Sequence, residues 1–341
     1  MAPQPARKYI PKDRFSALFS TLKTQTYHDP SSRGPGSHTI RSIAWNPTGG
    51  LIATGSADRT LRVWNPEKPQ VKNSTELRGH NGGIERVAWN PVKEAELASV
   101  SSDGTCKFWD VRSKGCVETV QLGGEGLTIT WSADGSVVMV GRKDDTLLPI
   151  SCPTFTLGTP HPQPLQTNQT LFPHSPSTEP PKTILLTTGD GSVKIYSYPT
   201  FTPLHTLHAH TSASNALALS PTGRYLATGG SDALICLWDT TDWVCRRTLS
   251  TGTGAVRSVG FSWDGSFVCG GSDEGGLGAS AGGAGAGGIE IAHVETGEVV
   301  HTVPTQGGAV GCVAWHPGRY WLAYSGDASG LKIVGAAGGA L

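Results

Sequence analysis

Residues 78–110 read RGHNGGIERVAWNPVKEAELASVSSDGTCKFWD, and this stretch decides the fold. It contains an apolar run ending at Trp89, a turn with Asn and Pro, a second apolar run, a turn with Asp103, and a third run ending at Trp109. Short runs rich in β-branched and aromatic residues, separated by turn-forming residues, are typical of strands joined by hairpins. The stretch therefore predicts three consecutive antiparallel strands.

The same pattern recurs along the chain, and a turn aspartate marks each unit. Successive aspartates lie 41–54 residues apart. They are Asp58, Asp103, Asp144, Asp190, Asp232, Asp273 and Asp327. Seven units near this period, each with several short strands, are typical of a β-propeller whose blades have four strands. The sequence therefore predicts an all-β fold with seven blades.

A second element occurs in phase with the aspartates, namely an inner strand that ends in an aromatic residue. These aromatic residues are Trp45, Trp89, Trp131, Phe261 and Trp315. The third strand of the last unit is LKIV at 331–334, and only GAAGGAL follows it. A fourth strand for that unit must come from elsewhere, and residues 25–27 precede the first unit. We expect this N-terminal strand to close the ring and leave no open sheet edge.

The repeats resemble those of the WD40 family over nearly the whole chain. The family dipeptides occur as Gly79-His80 with Trp109-Asp110, as Ala209-His210 with Trp238-Asp239, and in weaker form as Ser37-His38 with Trp64-Asn65. The resemblance implies a buried hydrogen-bonded tetrad in three blades. The sets are His38, Thr54, Asp58 and Trp64 in blade 1, His80, Ser99, Asp103 and Trp109 in blade 2, and His210, Thr228, Asp232 and Trp238 in blade 5.

Three segments fall outside the repeats, and we divide the chain at residue 28. Residues 1–28 form a tail, in which Phe15, Leu18, Phe19 and Leu22 have the spacing of an amphipathic helix over 15–22, with Asp13 as N-cap. Residues 29–341 form the propeller. Within it, the Pro- and Thr-rich stretch 151–182 and the Gly- and Ala-rich stretch 274–288 are predicted to be loop insertions.

Composition and motifs indicate no catalytic, cofactor or metal site. The chain has 27 basic and 27 acidic residues, so its net field does not favour nucleic acid. Its seven cysteines form no CxxC pair, as expected of reduced thiols, and no apolar run has membrane-spanning length. A G-x-S-x-G match at 278–282 lies in a Gly/Ala tract rather than in a strand–turn–helix. His205, His208 and His210 lack further ligands for a metal.

Several stretches resemble the WD40 subunits of THO complexes more closely than they resemble other propellers. The distinctive stretches are IYSYPTFTPLHTLHAH at 195–210, IEIAHVETGEVV at 289–300 and VAWHPGRYWLAY at 313–324. This resemblance implies a nuclear, non-catalytic scaffold that couples transcription to mRNA packaging and export. Its expected partners are the large helical THO subunits and, indirectly, an RNA helicase, an export adaptor and mRNA. It implies neither a membrane nor a small-molecule substrate.

The residues expected to contact partners lie at the start of the inner strands and beside the turn aspartates. They are Arg41, Glu85, Lys143, Asn215 and Arg257. The apolar stripe of the N-terminal helix, Phe15, Leu18, Phe19 and Leu22, has two interpretations: it packs on the propeller, or it docks on a partner.

One alternative function stays open at this point. Trp109-Asp110-Val111-Arg112 has the W-D-x-R pattern of substrate receptors for cullin-type ubiquitin ligases. Because an arginine after such a turn also bonds nearby acceptors, the pattern alone does not decide. Binding of a ligase adaptor, and its loss in Arg112→Ala, would distinguish this function from that of a THO-type scaffold.

Overall fold

The computed structural model describes residues 9–27, 39–173, 182–250, 254–273, 288–305, 309–326 and 330–336. Within these ranges the strands form seven antiparallel sheets, six with four strands and one with five. Each sheet is one blade, and the inner strands of neighbouring blades contact one another around the ring. The predicted seven-bladed, all-β propeller is therefore confirmed.

The N-terminal elements are the helix α1 (Lys12–Phe19) and the strand β1 (Thr24–Tyr27). Blade 1 contains β2 (Ile40–Trp45), β3 (Ile52–Ser56), β4 (Leu61–Trp64) and β5 (Thr75–Leu77), with a 3-10 helix at Val71–Asn73. Blade 2 contains β6 (Ile84–Trp89), β7 (Glu96–Ser101), β8 (Thr105–Asp110) and β9 (Gly115–Gln121). Blade 3 contains β10 (Gly126–Trp131), β11 (Val137–Arg142), β12 (Thr146–Ser151), β13 (Thr156–Leu157) and β14 (His161–Pro162).

The remaining blades repeat the same order. Blade 4 contains β15 (Thr167–Leu171), β16 (Thr183–Thr188), β17 (Ser192–Ser197) and β18 (Pro203–His208). Blade 5 contains β19 (Ser214–Leu219), β20 (Tyr225–Gly230), β21 (Leu234–Asp239) and β22 (Val244–Ser250). Blade 6 contains β23 (Val256–Phe261), β24 (Phe267–Ser272), β25 (Gly288–His293) and β26 (Val299–Pro304), and blade 7 contains β27 (Val310–Trp315), β28 (Leu322–Gly326) and β29 (Leu331–Val334).

The ring is closed by the N-terminal strand, as predicted. β1 pairs antiparallel with β29, from Thr24 opposite Val334 to Tyr27 opposite Leu331, and it forms the outer edge of blade 7. Tyr27 is buried, packs edge to face against Trp64 of blade 1 at 5.8 Å, and donates a hydrogen bond to the Pro66 carbonyl. The closing strand therefore also holds blade 7 against blade 1.

Indole groups of the inner strands connect each of three blades to the blade before it. The Nε1 groups donate to main-chain carbonyls: Trp45 to Ala314 at 3.0 Å, Trp89 to Ala44 at 2.9 Å, and Trp131 to Ala88 at 3.0 Å. An indole has one donor and no acceptor, so each of these contacts satisfies a group that burial would otherwise leave unpaired. In blades 1, 2 and 3, the aromatic residues that mark the repeat in the sequence therefore also connect neighbouring blades.

Polar side chains of the inner strands connect blades in the other direction. Ser42 accepts from the Val87 amide at 3.1 Å, and Ser258 accepts from the Val313 amide at 3.2 Å. Gln169 uses both ends of its amide, since it accepts from the Leu217 amide at 3.1 Å and donates to the Leu217 carbonyl at 3.0 Å. These residues were not predicted from the sequence, because a single polar residue within a strand gives no periodic signal.

The turn after each marker aspartate has a common backbone. The next residue has a positive φ in five blades: 74° at Arg59, 78° at Gly104, 63° at Asp145, 88° at Gly191 and 62° at Ala233. Glycine adopts this region without strain, whereas for other L-residues it costs roughly 1–2 kcal/mol. Blades 1, 3 and 5 therefore carry a small strain at this turn that blades 2 and 4 avoid.

In its described part, residues 151–173, the stretch 151–182 is not the loop insertion that its composition predicts. It supplies the broken outer strand of blade 3, β13 and β14, and the whole inner strand of blade 4, β15. The prediction failed because this inner strand, TNQTL, lacks an apolar alternation, and because Pro153, Pro160 and Pro162 shorten the outer strand. The second predicted insertion, 274–288, lies outside the described residues except for Gly288, the first residue of β25.

The N-terminal helix is also displaced from its predicted position. It spans Lys12–Phe19 rather than 15–22, its N-cap is Pro11 rather than Asp13, and Leu22 follows the helix in a turn. Asp13 lies in the first turn, where a carboxylate favours the helix N-terminus. The apolar stripe located the helix but not its first turn, because that turn carries polar residues.

Candidate protein-interaction surface

The four polar residues predicted to meet in blade 2 lie in one hydrogen-bonded chain. Trp109 Nε1 donates to Ser99 Oγ at 2.8 Å, Ser99 Oγ lies 2.7 Å from His80 Nε2, and His80 Nδ1 lies 2.9 Å from Asp103 Oδ2. An indole only donates and a carboxylate only accepts. The consistent proton arrangement is a neutral His80 that donates from Nδ1 to Asp103 and accepts at Nε2 from Ser99.

Blade 5 has the same chain with threonine in place of serine. His210 Nδ1 lies 3.0 Å from Asp232 Oδ1, its Nε2 lies 2.9 Å from Thr228 Oγ1, and Trp238 Nε1 donates to Thr228 Oγ1 at 3.2 Å. In both blades the carboxylate also accepts from the main-chain amide after the histidine, Asn81 or Thr211. The network therefore fixes the loop that enters the inner strand.

In blade 1 the structure shows part of the predicted set. Trp64 Nε1 donates to Thr54 Oγ1 at 3.1 Å, and Asp58 accepts from the Thr60 amide at 3.1 Å. His38, the fourth predicted member, lies outside the described residues. His80 and His210 each precede the first residue of their inner strand by four positions, whereas His38 precedes Ile40 by two.

Burial and hydrogen bonding set the protonation states of these networks. Burial lowers the pKa of both His80 and His210, which favours the neutral rings that the hydrogen bonds require. Burial by itself raises the pKa of Asp103, but hydrogen bonds from Thr105, Asn81 and His80 outweigh it and hold that pKa far below the usual range. The Asp103 carboxylate is therefore an acceptor in the folded protein, and the buried Ser99 and His80 use their polar groups within the network.

Blades 3 and 4 stabilise the same turn without a histidine. In blade 3, Arg142 Nε donates to Asp144 at 2.9 Å and its Nη1 donates to the Leu122 carbonyl at 2.8 Å, where Leu122 holds the position that His80 has in blade 2. In blade 4, Thr188 and Ser192 donate to Asp190 at 2.6 and 2.7 Å. These hydrogen bonds lower the pKa of Asp190 to about 2.

Neither replacement was predicted, although the sequence carries a signal for both. Arg142 stands two residues before the blade-3 aspartate, and Ser192 stands two residues after the blade-4 aspartate. A donor within two residues of each marker aspartate is therefore the pattern that would have found them.

Most of the predicted partner-contacting charges are joined in ion pairs on one face of the ring. This face, which we call the loop face, carries the loops that enter the inner strands and the turns with the marker aspartates. Arg41 of blade 1 pairs with Glu85 of blade 2, and Lys143 pairs with Glu125 at 2.9 Å. On the same face, Arg257 pairs with Asp273 at 2.7 Å. The side chains of these pairs are exposed, and Lys143 is the most exposed of them at 68%. Because each charge lies beside its opposite, the pairs add no net charge to this surface.

The fifth predicted contact residue, Asn215, is buried rather than available to a partner. Its Nδ2 donates to Ser231 Oγ at 2.9 Å and to the Val256 carbonyl of blade 6 at 3.2 Å. The side chain therefore connects blades 5 and 6. Counting back from the end of the strand identified the position, but not that a short amide there finds its partners inside the ring, whereas the charged side chains at the same position in blades 1, 2 and 6 form ion pairs or face solvent.

The apolar stripe of the N-terminal helix packs on the propeller. Phe15 and Phe19 are buried in a cluster with Phe267, Trp315 and Tyr320, and Leu18 and Leu22 pack partly buried against the same cluster. Phe15 lies 3.9 Å from Phe267 between ring centroids. The alternative in which Phe15 and Phe19 dock on a partner is therefore wrong, because their surface is already covered.

The W-D-x-R turn of blade 2 is closed on itself. Arg112 Nη2 and Nε donate to the two carboxylate oxygens of Asp110 at 2.8 and 3.1 Å, while its side chain is 80% exposed.

His205 stacks against Trp243 rather than joining His210. Among the residues that the structure describes, no three His, Cys, Asp or Glu side chains are grouped to hold a metal ion. No described helix has the length and apolarity needed to cross a membrane.

Comparison with known families identifies the repeats. The model described as "WD domain, G-beta repeat" matches residues 29–65, 71–110, 201–239, 243–276 and 297–331. These matches span more than half of the chain. The chain belongs to the WD40 family. The stretch between the second and third matches, 111–200, contains blade 3 and the first three strands of blade 4, and these blades lack the histidine and the Trp-Asp dipeptide.

Individual relatives differ in how much of their length this propeller covers. THO complex subunit 3 of Arabidopsis thaliana is 34% identical over 313 residues, which is 91% of both chains. WD repeat-containing protein AAC3 of Dictyostelium discoideum is 32% identical over 65% of this chain and 51% of its own length. Human Striatin-4 is 26% identical over 64% of this chain and 30% of its own. The first likeness extends along the whole ring, and the others along part of it.

Proposed function

We propose that this chain is a non-catalytic scaffold subunit of a nuclear THO-type complex that couples transcription to mRNA packaging and export. The observation that carries the proposal is the likeness to THO complex subunit 3 over 91% of both chains. A match confined to the Gly-His and Trp-Asp positions would indicate only the fold. This one also spans blades 3 and 4, where the chain departs from the common repeat.

The proposed mechanism is passive. The N-terminal strand closes the ring and the tetrads use their polar groups internally, so the disc presents a fixed outer surface. Loops and outer strands on such a disc are able to contact several partners at once. The partners we expect are the large helical THO subunits directly, and the RNA helicase, the export adaptor and mRNA through them.

Affinity purification of the tagged protein from nuclear extract after RNase treatment tests this proposal. The expected result is recovery of the large helical THO subunits at comparable abundance, as measured by mass spectrometry, because protein contacts rather than RNA connect the subunits. Recovery of a cullin adaptor without those subunits would overturn the proposal in favour of a ligase receptor. In that case Arg112→Ala, which removes the exposed guanidinium beside Asp110, should abolish adaptor binding.

A further inference from the structure

A groove lies at the junction of blades 2 and 3, on the face opposite the loop face. Its volume is about 430 Å³. One wall is the β6–β7 turn with Val92 and Glu94, the other includes Val117 of β9, and Phe155 from the β12–β13 turn lines it from blade 3. Because two blades contribute to it, the groove exists only in the assembled ring.

The groove has an aromatic floor, two exposed valines at its rim and charged residues around them. Phe108 is fully buried and packs 4.7 Å from Phe155 between ring centroids, so the base is a fixed aromatic surface. Val92 and Val117 are 65% and 55% exposed. Single exposed valines are ordinary on protein surfaces. Two beside an aromatic floor in one concave site are the arrangement in which a partner's anchor side chain becomes desolvated.

The charges around the groove leave one carboxylate in excess. Lys93 pairs with Glu96 at 2.9 Å, and Arg112 pairs with Asp110 at 2.8 Å. Within the part of the chain that the structure describes, Glu94 makes no ion pair, and Arg112 feels its field only at longer range. Both cations of the lining are thus already neutralised, and the free charge at the rim is negative.

We propose that this groove receives one aliphatic or aromatic side chain of a partner protein, and that an adjacent lysine or arginine of the partner pairs with Glu94. The apolar anchor matches Val92, Val117 and Phe155, and the basic residue matches the excess carboxylate. The proposal rests on the proposed function in one respect, namely that the partner is a large helical THO subunit.

Binding of the large helical THO subunits to purified variants tests the groove. Val92→Asp with Val117→Asp should weaken binding by roughly tenfold or more, since a carboxylate then faces the partner's anchor. Glu94→Lys should also weaken it, through like-charge repulsion. Val244→Asp is the matched control, because Val244 is a 46% exposed valine at the outer strand of blade 5. Glu118→Lys, on β9, is the control for the charge reversal in Glu94→Lys.

The outcomes separate the groove from the function. If the wild type binds the subunits and the groove variants bind equally well, the groove proposal is overturned while the scaffold function stands. If the wild type binds none of them, both are overturned. Folding of the variants is checked by thermal unfolding. A photo-crosslinking residue at position 117 in the otherwise unchanged chain gives an independent readout: we expect a crosslink to the partner there and none at position 244.

Discussion

In blades 2 and 5, a histidine donates to the marker aspartate, and a hydroxyl and an indole support that histidine from behind. In blade 3 the donor to the aspartate is Arg142, and in blade 4 the donors are Ser192 and Thr188. The difference extends to the strands. At the position of Ser99, blade 3 has Val140 and blade 4 has Leu186, and at the position of Trp109 they have Ile150 and Tyr196. In these four blades, the hydroxyl at the Ser99 position and the indole at the Trp109 position are present together or absent together.

We infer that the tetrad acts as one unit. A buried hydroxyl or indole without its partner costs more than an apolar residue of similar shape, so a half-built network is worse than none. The hydrogen bonds that every one of these four blades retains are those on the aspartate itself. We infer that the turn carboxylate is the necessary element and that the rest of the tetrad is one of several ways to support it.

The largest expected effect is removal of the tetrad carboxylate. Asp103→Ala should lower the free energy of unfolding by roughly 3 kcal/mol, because His80, Thr105 and the Asn81 amide lose their acceptor. The equivalent Asp144→Ala in blade 3 should cost about 1 kcal/mol or less, since Asp144 is 55% exposed and its donors, Arg142 and the Thr146 amide, lie at the surface or make a long contact. Urea denaturation of both variants measures the difference, and equal losses would contradict the comparison.

Removal of the shared hydroxyl should have the next largest effect. Ser99→Ala leaves both the Trp109 indole and His80 Nε2 without a partner, at a cost of roughly 2 kcal/mol. Ser113→Ala, which loses one exposed hydrogen bond to the Asp110 carbonyl, serves as control and should change stability little. A Ser99→Ala protein as stable as its control would show that the tetrad does not act as a unit.

Mild acid should destabilise the tetrad blades by a smaller amount. Burial holds the pKa of His80 and His210 below the ordinary histidine value, so the unfolded chain binds protons at a higher pH than the folded chain does. This contribution is complete above about pH 6.5 and is lost as the pH falls. The loss is limited because a protonated ring still donates to its aspartate. The melting temperature should fall from pH 7 towards pH 5, and less steeply in His80→Gln/His210→Gln; an unchanged slope would contradict this assignment.

The smallest effect concerns the turn after the aspartate. Ala233 of blade 5 has a φ of 62°, where blade 2 has Gly104 with a φ of 78°. Ala233→Gly should stabilise the protein by roughly 0.5–1 kcal/mol, because relief of backbone strain exceeds the entropy that glycine adds to the unfolded chain. Gly104→Ala is the reverse change and should destabilise it. Opposite signs in thermal unfolding are the expected outcome, and equal signs would show that side-chain packing decides instead.

The sequence was sufficient to predict the ring, because the aspartate and aromatic markers are local and periodic. The closing strand followed from counting strands in blade 7. The inner strand β15 and the outer strands β13 and β14 could not be found, since their residues are polar or proline-rich and show no apolar alternation. Asn215 and the groove between blades 2 and 3 depend on contacts between neighbouring blades, which no local pattern encodes.

The most direct test of the account is reconstitution of the chain with the largest helical THO subunit, followed by light scattering during size-exclusion chromatography. We predict a single species whose mass exceeds that of the large subunit by a whole number of 35.7 kDa chains. Two separate peaks at the masses of the free proteins would contradict the central claim that this propeller is a scaffold of that assembly.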